Sequence, residues 1–372
     1  MLSSVELSVI GAVAAALFAA AVVAFITTPV VRSLAFKIGA VDVPRDNRRM
    51  HNHPIPRMGG LAIFFGFILS ALIFIPLTTP LRGMLLGAVI IVILGIFDDI
   101  YALPAMPKFL IQILAALIAV LMGNRIDILS NPNIFSSDPY WVLGWLSIPI
   151  SVIWIVGITN AVNLIDGLDG LACGVSTISS MTMLVIALTV AEPEVALLMA
   201  ALSGGCIGFL PYNLNPAKIF MGDTGSTFLG FILAVVSIQG LFKSYAIISF
   251  AVPFLMLGLP IFDTCFAIFR RVSHGQSPMA PDRGHIHHRL IDMGFSQKQA
   301  VAVLYVISAI LGLSAVVLTT TSVLKAMMVL LALCVAGGLS AKLYLDRVNH
   351  REPPGDVAGN DYFFGEEERS DK

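Results

Sequence analysis

The side chains most able to do chemistry stand in short polar stretches between long apolar runs. One stretch places the adjacent carboxylates of Asp98 and Asp99 after an apolar run, with the ammonium of Lys108 shortly beyond them. An acidic pair can hold a divalent cation or position a cationic group. The solvated end of a membrane span is the alternative, but acidic residues are unusual at that place. We therefore expect these residues to take part in a reaction.

A second stretch, NAVNLIDGLDG, puts Asn160, Asn163, Asp166 and Asp169 at three-residue intervals between two apolar runs. Their oxygens are hard ligands for a divalent cation. A charge at the bilayer centre costs roughly 2.5–3.5 kcal/mol, so the stretch is expected at a membrane face or in a watery pocket. An Asp-Gly turn without further function is the alternative.

A third stretch, PYNLNPAKIFMGDTGSTFLG, carries Lys218 and Asp223 around Gly222 and Gly225, and Ser226 is expected to open the next span. Glycines and a helix start expose backbone N–H groups, so we expect this stretch to cradle phosphate. The spacing of a P-loop is absent. A helix cap with a turn is the alternative, but it gives no reason for Asp223.

A fourth stretch, PDRGHIHHRL, is rich in histidine and arginine and lies in the longest predicted cytoplasmic loop. Zinc is disfavoured, because a fourth ligand at suitable spacing is missing and the arginines repel a cation. We expect a cationic loop that binds an anion, with a plain basic loop as the alternative. Arg57, before the second apolar run, is a weaker candidate for an anion contact and is equally well explained as a membrane-flanking charge.

These stretches together supply carboxylates, amides, lysines, arginines and a glycine-rich turn. Mg²⁺ is typically held by one or two carboxylates while substrate phosphates complete its shell. The side chains therefore predict a site for Mg²⁺ and a polyphosphate.

The elements that must position these stretches are membrane helices. Hydrophobic residues make up 57% of the 372 residues, charged residues only 12%, and the mean hydropathy is +0.90. A span needs about 20 mostly apolar residues. The sequence predicts an all-α polytopic membrane protein with about eleven transmembrane helices. The apolar runs are Val9–Ile26, Leu61–Ile75, Met84–Phe97, Phe109–Met122, Ile148–Ile158, Leu171–Val190, Val195–Leu210, Phe228–Ile238, Tyr245–Leu259, Ala300–Leu318 and Leu324–Leu345.

The distribution of basic residues predicts the orientation in the membrane. Of the 22 Lys and Arg residues, only Arg82, Arg125, Lys243 and Lys325 fall on one side. Because cytoplasmic loops carry the excess of Lys and Arg, we expect the N-terminus outside, the C-terminus in the cytoplasm and the active site on the cytoplasmic face. The cytoplasmic loops are predicted at about 31–57, 98–108, 159–170, 211–226 and 266–299.

The chain is expected to form one membrane domain, residues 1–346, followed by a cytoplasmic tail, residues 347–372. The tail is polar and contains Pro353, Pro354 and the acidic run 366–368. This composition is typical of a disordered segment.

The polar stretches, in their order, resemble those of the polyprenyl-phosphate N-acetylhexosamine-1-phosphate transferases over about residues 45–290. Members of that family are integral membrane enzymes that move a phospho-sugar from a UDP-sugar to a lipid phosphate. HIHHR is similar to the bacterial UDP-N-acetylglucosamine branch, which initiates O-antigen, enterobacterial common antigen or wall teichoic acid synthesis. The muramoyl-pentapeptide branch usually shows three consecutive histidines, which Ile286 interrupts here.

The resemblance implies roles for individual residues. It places Asn163 and Asp223 at Mg²⁺, matches Asp98 and Asp99 to the paired catalytic aspartates, and links Lys108 to phosphate positioning. The predicted catalytic residues are therefore Asp98, Asp99, Lys108 and Asp223. The predicted substrate-binding residues are Asp166 and Asp169 on the nucleotide side, His285, His287, His288 and Arg289 in the sugar-side loop, and Lys218, Arg283 and Arg57.

The predicted reaction transfers GlcNAc-1-phosphate from UDP-GlcNAc to undecaprenyl phosphate and releases UMP. A multi-pass protein of the bacterial inner (cytoplasmic) membrane, often a homodimer, is implied, with no nucleic-acid partner. The alternatives are the phospho-MurNAc-pentapeptide transferase of peptidoglycan synthesis, a glycosyltransferase that releases UDP, and an ion or lipid transporter. Acidic clusters at span ends favour catalysis over transport, because transporter sites usually lie near the midplane.

Overall fold

The computed structural model describes residues 4–43, 54–130, 140–240, 251–277 and 284–320, all within one compact unit, Met1–Ala326. The predicted tail and the last apolar run lie outside the described residues. In chain order the elements are α1 Ser4–Ile38, β1 Val41–Asp42, β2 Ile55–Pro56, α2 Gly60–Phe74, α3 Thr79–Tyr101, α4 Ala105–Leu121, β3 Ile128–Ser130, β4 Tyr140–Val142, a 3-10 turn Gly144–Leu146, α5 Ser147–Leu164, α6 Leu171–Thr189, α7 Pro193–Asn213, α8 Gly222–Gly240, α9 Ala251–Met256, α10 Gly258–Ser273, α11 Ile286–Asp292 and α12 Gln297–Thr320.

Long apolar sequences dictate these helices. Among the described residues, six helices are long and apolar enough to cross a membrane, namely α1, α3, α5 with its preceding turn, α6, α7 and α12. Helices α2 and α4 are apolar but shorter. The first eight predicted runs each lie on a helix of their own and extend at most one residue beyond it. The helical membrane architecture is confirmed, whereas the count of eleven spans and the orientation stay predictions.

Two short antiparallel ribbons accompany the helices. The first pairs β1 with β2, and the second pairs β3 with β4. The second ribbon carries Trp141, which is 51% exposed, and Trp145 follows at 80% exposed. Exposed indole rings at the end of a span suit the interface of a bilayer.

Helix α8 is buried along nearly its whole length and packs against α2, α3 and α5. Glycines allow the close approach. A Cβ on Gly60 of α2 would lie 1.9 Å from Cα of Gly225, and a Cβ on Gly95 of α3 would lie 2.4 Å from Cα of Thr224. Small residues at such contacts let helix backbones come together. The start of α8 is thereby held against the end of α3.

Two helix boundaries differ from the sequence-based prediction. Helix α8 begins at Gly222 and not at Ser226, so Asp223 lies in its first turn. Helix α5 extends to Leu164, so Asn160 and Asn163 lie at its end and not in a loop. In both places tertiary hydrogen bonds satisfy polar groups at the helix end, and hydropathy does not register those bonds.

Candidate active site

The ammonium of Lys108 lies between two carboxylates that come from different helices. Its Nζ donates to Oδ2 of Asp98 over 2.7 Å and to Oδ2 of Asp223 over 3.2 Å. Asp98 lies in the last turn of α3, Lys108 in the first turn of α4 and Asp223 in the first turn of α8. The N–H of Leu103 holds Oδ1 of Asp98 over 2.7 Å. The acidic pair and the third polar stretch therefore meet in one charged cluster.

Asp99 makes different contacts from Asp98. Its Oδ1 accepts from the backbone N–H of Asp223 over 2.9 Å, and its Oδ2 accepts from the N–H of Thr224 over 3.1 Å and from Oγ1 of Thr224 over 2.6 Å. The first N–H groups of a helix lack partners within the helix. From α3, the oxygens of Asp99 supply the missing acceptors, and this fixes the backbone that carries Asp223.

This contact corrects the expected phosphate cradle. The N–H groups of Asp223 and Thr224 already donate to Asp99, so they are not free for phosphate. Gly222 has a φ of +71°, and a Cβ there would lie 2.4 Å from Oδ2 of Asp99. Gly222 and Gly225 therefore serve the close packing of helices, and the cap alternative describes this turn better.

Asn163, in the last turn of α5, joins the cluster. Its Nδ2 donates to Oγ of Ser226 over 3.2 Å, and Ser226 lies one turn from Asp223 on α8. An amide that donates through its nitrogen can offer its carbonyl oxygen to a cation. The residue pair predicted to bind metal is thus brought close together.

Asn160, for which the sequence predicts no specific role, links two helices. Its Nδ2 donates to Oε1 of Gln112 over 2.7 Å and to the carbonyl of Val156 over 2.8 Å. Gln112 lies one turn beyond Lys108 on α4. Asn160 therefore helps to hold the helix of Lys108 against the helix of Asn163.

The loop after α5 holds Asp166 and Asp169 in unlike surroundings. Oδ2 of Asp169 accepts from Nδ2 of Asn215 over 2.9 Å and from the N–H of Ala217 over 3.0 Å, which ties this loop to the α7–α8 loop. Removal from water, followed by the charges of Asp223 and Asp99, raises the pKa of Asp166 to about 8. Asp166 is thus close enough to the cluster to respond to its negative charge.

The histidine loop packs on the same loop. His287 is buried, and a Cβ on Gly167 would lie 2.2 Å from Nε2 of His287. Burial, followed by the charge of His288, lowers the pKa of His287 to about 4. His287 is therefore neutral at pH 7, so the positive charge expected of this loop does not come from His287. His285 is also buried, and its Nδ1 lies 2.8 Å from Oδ2 of Asp263.

The remaining predicted substrate contacts are four basic residues, three of which the structure describes. Nη2 of Arg57 lies 3.6 Å from Oδ1 of Asp42, and the charge of Arg57 also acts on Asp166. Lys218 and Arg289 are exposed, and neither forms an ion pair with another residue that the structure describes. Arg283 lies outside the described residues.

The donor set around Asp223 is small for a divalent cation. Within the described ranges, no group of three or more His, Cys, Asp and Glu side chains is arranged to hold a metal by itself. Mg²⁺ does not need such a cage, since one or two carboxylates and the substrate phosphates suffice. The Asp223 carboxylate and the nearby Asn163 amide fit that sparse mode of binding.

Sequence reasoning missed two polar residues of this region, Asp263 and Gln112. Asp263 is 3% exposed on α10 and Gln112 is 4% exposed on α4. Each is a polar residue within an apolar helix. A single ionisable or amide group at such a place is costly unless it has a partner, and that signal was present in the sequence.

Comparison with known proteins supports these observations. Residues 81–241 match glycosyl transferase family 4, and this range contains the acidic pair, Lys108, the NAVNLIDGLDG stretch and Asp223. The "probable undecaprenyl-phosphate N-acetylglucosaminyl 1-phosphate transferase" of Bacillus subtilis is 46% identical over 83% of this chain and 86% of its own length.

Two relatives of lower identity carry names other than that of the Bacillus subtilis protein. The "decaprenyl-phosphate N-acetylglucosaminephosphotransferase" of Mycolicibacterium smegmatis is 34% identical over 77% of both chains. The "phospho-N-acetylmuramoyl-pentapeptide-transferase" of Staphylococcus aureus is 32% identical over 69% of this chain and 83% of its own length.

Proposed function

Because the chain belongs to glycosyl transferase family 4, among its polyprenyl-phosphate N-acetylhexosamine-1-phosphate transferases, we propose that it transfers GlcNAc-1-phosphate from UDP-GlcNAc to undecaprenyl phosphate. An oxygen of the lipid phosphate attacks the sugar-linked phosphorus of UDP-GlcNAc. The bond between the two phosphates of the donor breaks and UMP leaves. The product is undecaprenyl-diphosphate-GlcNAc.

The contact of Lys108 with Asp98 and Asp223 carries this proposal. A phosphate monoester carries about −1.5 to −2 charges at pH 7, and it must approach an anionic diphosphate. Catalysis of phosphoryl transfer therefore rests on positioned cations. Lys108 is an ammonium fixed by two carboxylates, and its place at the ends of three helices suits a substrate that arrives from the membrane.

The same cluster argues for a divalent cation. Asp98, Asp99 and Asp223 bring more carboxylates than Lys108 can balance, and burial together with the charges of Asp223 and Asp99 raises the pKa of Asp166. Two anionic substrates would be repelled from such a site. We propose that Asp223 and Asn163 hold Mg²⁺, for which Mn²⁺ can substitute. The ion would neutralise phosphoryl charge when bound.

Other residues are assigned by their position. Asp98 orients Lys108, and Asp99 fixes the first turn of α8. Asp166 and the loop around it face the histidine loop, and we assign both to the UDP-sugar side, with Arg289, Arg283, Lys218 and Arg57 as contacts to its anionic groups. We further propose that the enzyme acts as a homodimer in the bacterial inner membrane, with this site on the cytoplasmic face.

The donor sugar is the feature that separates the two closest candidate functions. We favour GlcNAc over MurNAc-pentapeptide, because the relative named for GlcNAc is 46% identical and the relative named for the pentapeptide is 32% identical. The interrupted histidines of HIHHR agree with this choice.

The test supplies purified protein with undecaprenyl phosphate, Mg²⁺ and either UDP-GlcNAc or UDP-MurNAc-pentapeptide, and identifies the nucleotide released. We expect UMP with UDP-GlcNAc and at least tenfold less turnover with the pentapeptide donor. Release of UDP would mean a glycosyltransferase. Preference for the pentapeptide donor would move the chain to the other branch.

A further inference from the structure

Asp263 lies on α10, which contributes no residue to the cluster of Lys108, Asp98 and Asp223, yet it is among the most buried carboxylates of the described chain. Its side chain is 4% exposed and faces His285, whose side chain is 6% exposed. A buried carboxylate is costly unless it is hydrogen-bonded. Its two oxygens have partners on consecutive residues of the histidine loop.

The first partner is the ring of His285. Nδ1 of His285 lies 2.8 Å from Oδ2 of Asp263. A carboxylate is only an acceptor, so Nδ1 carries the proton and the tautomer of the ring is set. A histidine held in this way has a fixed orientation, as in metal and catalytic sites where a carboxylate stands behind the ring.

The second partner is the backbone of Ile286. Its N–H donates to Oδ1 of Asp263 over 2.8 Å. Ile286 is the first residue of α11, and His285 at the cap position makes no side-chain cap of its own. Asp263 therefore supplies, from another helix, the acceptor that a helix start lacks. The beginning of α11 is fixed in place relative to α10.

This anchor reaches the candidate active site through α11. The ring of His285 stacks on that of His287 at 5.7 Å between centroids, with 7° between their planes. His287 in turn lies on the backbone of Gly167, next to Asp166. A shift of the start of α11 would move His287 along the loop that borders the cluster.

We propose that Asp263 is a positioning residue that holds the histidine loop, through His285, against the loop of Gly167 during sugar-phosphate transfer. This inference rests on the proposed function, because it assigns the histidine loop to the donor substrate. Asp263 touches neither substrate nor the reacting phosphates in this account. It acts through the tautomer of His285 and the start of α11.

The test is a double-mutant cycle of Asp263→Asn and His285→Ala. Asparagine keeps an oxygen for the N–H of Ile286, so the variant mainly alters the contact with His285. We expect Asp263→Asn to lower kcat/KM for UDP-GlcNAc by about 10- to 100-fold, the range seen when a group behind a functional histidine is removed. In the His285→Ala background the same change should cost less than about threefold.

The split between kcat and KM separates positioning from a loss of folded protein. The histidine loop that Asp263 holds lies against the loop of Gly167, and we assign both loops to the donor substrate. We therefore expect Asp263→Asn to raise KM for UDP-GlcNAc, whereas fewer folded molecules would lower the apparent kcat and leave KM unchanged.

Two further variants complete the experiment. Asp292→Asn removes an exposed carboxylate from α11 itself and should stay within twofold of wild type. Asp263→Glu keeps the carboxylate and should regain part of the wild-type kcat/KM with a KM near that of wild type, even where Asp263→Asn yields little folded protein. Wild-type turnover is measured first, because its absence would contradict the proposed function alone. If wild type turns over, three results would overturn the positioning role: unchanged kinetics in Asp263→Asn, independent effects in the cycle, or an Asp263→Glu variant with the kinetic constants of Asp263→Asn.

Discussion

At the residue scale, Asp98 and Asp99 are neighbours in sequence but have different partners. Asp98 accepts from the ammonium of Lys108, whereas both oxygens of Asp99 accept from the start of α8. Only Asp98 is thus in contact with a group that can meet phosphate. Resemblance to a family assigns the two carboxylates as a pair, and the structure distinguishes them by their donors.

The partners of Asp98 predict how its loss depends on pH. Oδ2 accepts from Lys108 and Oδ1 from the N–H of Leu103, so the carboxylate is engaged in orienting the ammonium. The lipid phosphate is already mostly ionised at pH 7, and little proton removal is needed. We expect Asp98→Asn to reduce kcat by about 100-fold at every pH between 6 and 9, measured as UMP release. A defect that vanishes above about pH 8 would instead show that Asp98 acts as a base.

His287 gives a second prediction, for stability. Its folded pKa is about 4 and its ordinary value is 6.5. The neutral form is favoured in the fold, so its contribution to stability is complete above pH 6.5 and is lost as the pH falls toward 4. This loss amounts to at most about 3 kcal/mol. Thermal unfolding at pH 7 and pH 5 should show a larger decrease in wild type than in His287→Leu. Equal decreases would contradict the assignment.

At the element scale, the site depends on how closely α8 approaches α2 and α3. A Cβ on Gly60 would meet Cα of Gly225 at 1.9 Å, so Gly60→Ala must push α2 away from α8. Overpacking typically costs about 1–3 kcal/mol. We expect a lower unfolding temperature and at least tenfold lower activity. Gly157→Ala on α5 is the matched control, since no atom lies within 4 Å of its Cβ, and it should behave like wild type. A Gly60→Ala variant as stable as Gly157→Ala would refute the packing argument.

The helices could be predicted from the sequence more completely than the contacts between them. Apolar runs predicted α1 to α7 because each span must be apolar over its own length. Polar types predicted that Asp98, Asn163 and Asp223 serve one site, since Mg²⁺ and phosphate require oxygens and cations together. The capping by Asp99 and the partners of Asp263 were not predictable, because each contact joins separate segments of the chain through backbones whose approach hydropathy does not encode.

At the scale of the whole molecule, the predicted topology places the site on the cytoplasmic face. Arg82, in the first turn of α3, and Lys298, in the first turn of α12, are exposed and fall on opposite predicted sides. In a background without native cysteines, Arg82→Cys should react with an impermeant maleimide on intact cells. Lys298→Cys should react only after the membrane is opened. The reverse pattern would place the Lys108 cluster outside.

The central claim is that the phosphate next to the sugar travels with it to the lipid. The most direct measurement supplies UDP-GlcNAc with a radioactive β-phosphate, undecaprenyl phosphate and Mg²⁺, and separates organic from aqueous products. Our account predicts that the label enters the lipid fraction in step with UMP release, and that Asp223→Asn, which removes the carboxylate in contact with Lys108, abolishes both. Label that stays in the aqueous phase as UDP, while GlcNAc enters the lipid, would contradict it.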